Sequence, residues 1–163
     1  MQTTVEFLTV AIPKLILDAN GSWFGSSKLN QSWLPPEKRI AESASFLHVD
    51  NDENRTFSTI TYTWHFEGKR HEGTLLICMA GKPKVVQIGW SDSWHQNTAV
   101  MHLVGPESPD GSFKTKGTYA AGKEVWGWTI EFKTTPDQLT MKMENLTPQG
   151  EAEWAVEAVY KRS

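Results

Sequence analysis

The chain has a single cysteine among its 163 residues, Cys78, so no internal disulfide framework staples it. No apolar run approaches the roughly 20 residues a membrane-spanning helix needs. Charge is sparse and mixed, with 16 Lys and Arg against 19 Asp and Glu and a net charge of −3. There is no Lys/Arg-rich run and no basic stripe interleaved with aromatics, which argues against a nucleic-acid partner. Nor is there a basic amphipathic helix for a membrane surface. Met1 to Ile12 carry neither the basic start nor the small-residue cleavage site of a secretory signal. With one cysteine and no such signal, the expected location is cytoplasmic. The Asn-x-Ser/Thr triplets at Asn20, Asn30, Asn54 and Asn145 then read as chance.

Motifs for metal and cofactor chemistry are missing as well. The five histidines, His48, His65, His71, His95 and His102, show no His-Glu-x-x-His spacing. Paired cysteines are absent too, so no metal and no cofactor is expected. His65 and His71 flank one turn; an even loop sends them to opposite faces and an odd loop brings them together. Gly89-Trp90-Ser91-Asp92-Ser93 loosely matches a nucleophile elbow. However, Ser93 stands where Gly is required, and the context is strand to strand, not strand to helix. The plain reading is a hairpin end with Asp92 bonding the turn backbone. Glu151, Glu153 and Glu157 lie opposite Trp154, on an outer face. Cys78 reads as a small buried apolar residue.

What is abundant is tryptophan, with eight in the chain, set in period-two alternation. Ile60, Tyr62, Trp64 and Phe66 form one row; Val86, Ile88 and Trp90 form another. Val100, His102 and Val104 make a third row, Trp126, Trp128, Ile130 and Phe132 a fourth, and Leu139, Met141 and Met143 a fifth. Trp154, Val156, Ala158 and Tyr160 close the series. Turn residues separate these runs, and residues 22–29, 39–49, 71–79 and 113–119 read as further strands. About ten short strands joined by tight turns predict an all-β domain spanning 1–163, an antiparallel sandwich or barrel. Residues 1–12 are an N-terminal extension. A short helix after Pro13, stopped at Asn20-Gly21, is the only helical segment expected.

Gly21-Ser22-Trp23 at the start of the first strand, and Tyr160-Lys161-Arg162 at the end of the last, resemble the calycin superfamily of lipocalins and fatty-acid-binding proteins. The resemblance implies a single antiparallel up-and-down β-barrel in which Arg162 stacks on Trp23 and closes one end. Over residues 13–162 the chain is similar to a family of small bacterial proteins, a domain of unknown function with a calycin-like barrel. That likeness rests on Gly21-Ser22-Trp23-Phe24-Gly25, Gly89-Trp90-Ser91-Asp92-Ser93 and the Tyr-x-Arg ending. Trp126 and Trp128 depart from the pattern. Related haem-binding barrels take their iron ligand from a histidine on the last strands. Residues 103–163 contain none, which argues against haem.

The candidate ligand-binding residues are Tyr62, Trp64, Trp90, His102, Trp126, Trp128, Met141 and Trp154. They either line a cavity for a small apolar or aromatic molecule or simply fill the core, and periodicity does not distinguish the two. His102, placed inward with Val100 and Val104, would meet a ligand's polar end. Two other readings stand beside binding. One is an isomerase or hydrolase using the same cavity, with His102 or Asp92 as acid or base. The other is a non-catalytic module that forms a homodimer.

Overall fold

The structure is a computed structural model and describes residues 10–163. Of the N-terminal extension, residues 1–9 lie outside the described residues. A short helix, α1 (Lys14–Asp18), precedes β1 (Gly21–Asn30), and a 3₁₀ turn, Pro36–Lys38, leads into β2 (Ile40–Asn51). Then follow β3 (Ser58–Phe66), β4 (Lys69–Ala80), β5 (Val85–Asp92), β6 (Met101–Gly105), β7 (Phe113–Ala121), β8 (Glu124–Thr134), β9 (Leu139–Leu146) and β10 (Ala152–Arg162). Each strand pairs antiparallel with its neighbour in sequence, and β1 pairs with β10, closing a ten-strand up-and-down barrel. Closure removes the exposed edges that an open sheet would present. Among the described residues no helix is long and apolar enough to cross a membrane.

Alternation works as the sequence implies along β3, β5 and β9, where every second residue is buried. The β3–β4 connection is two residues, Glu67 and Gly68, both with positive φ. That is the mirror-image turn favoured between twisted strands. Its even length pairs Trp64 with His71 and His65 with Arg70, so the two histidines face opposite sides.

In β6 the face is reversed from the expected one. Met101, Leu103 and Gly105 point inward, while His102 and Val104 are exposed and Val100, just before the strand, is 76% exposed. The segment Val100-Met101-His102-Leu103-Val104 is apolar on both faces, so its pattern does not choose. Register chooses: Met101 pairs with Trp90 and Leu103 with Ile88, both core residues.

A second departure is a bulge in β10. Trp154 pairs with Glu144 and Val156 with Met143, leaving Ala155 as the extra residue. Partners in a ladder share a face. Glu144 ion-pairs with Lys114 and Lys142 on the barrel's exterior, so Trp154 leaves the interior row and is only half-buried. Cys78, paired with Gln87, is half-buried rather than in the core.

One end of the barrel is plugged. Leu15, Ile16 and Ala19 are buried there against the barrel. Trp23 donates its indole N–H to Ala19 O at 2.7 Å, and the Arg162 guanidinium lies 4.3 Å from the Trp23 ring centre. Arg162 also donates to the carbonyl of Asp18, one that the helix leaves unpaired at its C-terminal end, and to that of Asn20 just beyond it. Gly21 has φ of +110°, and a Cβ on Gly25 would sit 1.7 Å from Val159 O, so the glycines of the Gly-Ser-Trp-Phe-Gly motif seat β1 against β10.

Candidate functional site

Between the ends the interior is filled by large apolar side chains. Phe113, Phe132, Ile130, Leu103, Ile88, Ile77 and Tyr160 are almost wholly buried. Tyr160 shares a hydrogen bond with Ser45 Oγ at 2.9 Å, and burial pushes its phenol up to about 12, a rise that this bond opposes. Met141 belongs to this packed layer, between Phe132 and Ala158.

The remaining space lies toward the open end, where the β3–β4, β5–β6 and β7–β8 turns meet. Trp90 and Trp128 stack there at 5.3 Å with an interplanar angle of 16°. They border a void of about 90 Å³ together with His95, Gln96, Met101 and Tyr119. A smaller gap of about 10 Å³ also touches His95, among Ser27, Leu29, Tyr62, Trp64, Asp92, Met143 and Val156. His95 lines both spaces. Its ring lies 5.1 Å from Trp128, 6.3 Å from Trp64 and 6.5 Å from Trp90. The larger depressions, about 520 Å³ beside Trp23 and about 540 Å³ beside Gly73, are open hollows on the surface.

A hydrogen-bonded chain supports the chamber wall. Trp90 Nε1 donates to Tyr62 Oη at 2.9 Å, and Tyr62 Oη donates to Asp92 Oδ2 at 3.3 Å. The Tyr62 ring lies over Gly73, where an added Cβ would meet it at 2.2 Å. Asp92 Oδ1 accepts the Trp94 and Gln96 backbone amides at 3.0 and 2.8 Å, and His95 Nδ1 lies 3.3 Å from Oδ2. Asp92 therefore folds the loop after β5 back over the chamber, as expected of a hairpin-end aspartate. Burial raises its carboxyl, but the His95 hydrogen bond and charge and the two amides outweigh that and hold it below the ordinary range. Burial and the Asp92 charge raise the Tyr62 phenol well above its usual value, so it stays a donor.

Trp94 closes the same end over Trp64, Phe66 and His71, with ring centres 5.7, 5.1 and 5.1 Å away. Trp126 sits at the rim, half-buried, and donates to Glu124 Oε2 at 3.1 Å.

Of the residues singled out in the sequence, Tyr62, Trp64, Trp90 and Trp128 come together around the chamber. Met141 lies below it, Trp126 at its rim and Trp154 outside. His102 is on the exterior, 3.3 Å from Gln87 Oε1, because β6 presents its other face to the core. Periodicity missed His95 and Gln96, which lie in a loop; the signal for them was Asp92 at a strand end with His95 three residues on.

No protein-family model matches the chain, and no curated protein matches it. Among solved structures it is similar to Rv2717c from M. tuberculosis, at 18% identity and a TM-score of 0.64, over 89% of this chain and 92% of that one. A likeness at this identity supports the shared fold.

Proposed function

We propose that the protein binds a small apolar or aromatic molecule in the chamber at the open end of the barrel. The observation that carries this reading is the void between His95 and the stacked Trp90 and Trp128, with Met101 and Tyr119 beside it. Indole faces suit flat ligands, since offset stacking adds to apolar burial. The likeness to calycin barrels, which hold a single ligand inside, supports the same use of the interior. At about 90 Å³ the void is well below the roughly 300–1,000 Å³ of drug-sized sites, so the ligand is about one ring in size unless His95 moves aside. Isothermal titration with monocyclic aromatics, alongside native mass spectrometry of the protein as purified, tests it. Saturable one-to-one binding weakened by Trp90→Ala is expected; no retained molecule and no titratable heat across the panel would end the proposal.

The Asp92–His95 pair beside the void favours a second reading, an isomerase or hydrolase in which His95 takes the acid–base role expected of His102. Its test is turnover of an aromatic ester or enone. Activity lost in His95→Ala with an unchanged circular dichroism spectrum supports it, and no turnover by the wild type rejects it.

A further inference from the structure

Trp128 is 6% exposed and borders the void, yet its indole N–H has no hydrogen-bond partner among the described residues. Two of the other buried indoles are served: Trp23 donates to Ala19 O and Trp90 to Tyr62 Oη. A buried donor without an acceptor is costly, and native proteins rarely leave one beside a space that an acceptor can enter. Trp128 is also fixed in place, stacked on Trp90 and flanked by His95.

We infer that the molecule held in the chamber is a planar ring bearing a hydrogen-bond acceptor, a carbonyl oxygen or an aromatic nitrogen, which receives the Trp128 N–H. The inference rests on the binding reading above and specifies its chemistry. The ring stacks against the Trp90–Trp128 pair while the acceptor supplies the missing partner.

Acetophenone and α-methylstyrene have nearly the same planar shape, and only the first has an acceptor oxygen. In wild-type protein titrated by nuclear magnetic resonance, acetophenone should move the Trp128 indole N–H signal downfield, and α-methylstyrene should not. The signal is identified by its absence in Trp128→Phe. That variant keeps an apolar ring and should weaken acetophenone about tenfold while changing α-methylstyrene less than about twofold. Equal responses of the two ligands, or an unmoved indole signal in saturated wild-type protein, overturn the donor role and leave the binding reading standing. If neither acetophenone nor α-methylstyrene binds the wild type, the binding reading fails and this inference with it.

Discussion

Asp92 shows how one side chain ties the loop to the barrel. It accepts two loop amides, pairs with His95 and receives the Tyr62 hydroxyl. Because the folded protein holds this carboxyl below its ordinary value, the folded state binds fewer protons here than the unfolded chain. The stabilisation is therefore fully present above the unfolded value of about 3.9 and fades as pH falls through the lower folded value. Urea midpoints measured from pH 6 downward should drop below about pH 4, and Asp92→Asn should flatten part of that drop. Parallel profiles for the two proteins would show that Asp92 carries none of it. At this scale the sequence was half legible. Tyr62, Trp64, Trp90 and Trp128 stood out because each sits in a strand where alternation reports burial. His95 sits in a loop, where alternation reports nothing, and His102 lies in a segment apolar on both sides.

At the scale of elements, the plugged end depends on a helix of five residues, too short to be stable by itself. Its apolar face, Leu15 and Ile16, is buried, and Arg162 from the other end of the chain bonds its exposed carbonyl and covers Trp23. Arg162→Ala should lower stability by on the order of 1–2 kcal/mol in urea unfolding, and Arg162→Lys should recover only part, since an ammonium lacks the planar fork. A midpoint unchanged in both variants would mean that the plug holds without the guanidinium. This pairing was readable because its residues stand at the two ends of a regular strand pattern. The bulge at Ala155 was not readable: the inserted residue is as small and apolar as its neighbour Val156, so no break in the pattern marks where Trp154 changes face.

Across the whole molecule, the barrel is plugged at one end, occupied by large apolar side chains through its middle and loosely filled at the other end. Strand count followed from turn spacing and closure from the likeness of the two chain ends to calycin barrels; whether the interior was hollow followed from neither, because alternation says which way a side chain points and not whether its neighbours reach it. The looseness is confined to the layer of Trp90, Trp128 and His95, above Phe113, Phe132 and Tyr160. Enlarging that layer should therefore be survivable and chemically reversible. Trp128→Ala removes an indole from a site already next to a void of about 90 Å³ and should cost about 3–5 kcal/mol, the range for large-to-small core changes. Added indole matches the shape removed and binds only the folded state, so at about 100 times its dissociation constant it should restore roughly 2.7 kcal/mol. In a thermal melt that appears as a rise of several degrees for the variant and a much smaller one for the wild type. If indole raises both proteins equally, or neither, the space left by Trp128 has collapsed or joined the solvent, and the chamber is not the fixed, walled volume that its stacked rings imply.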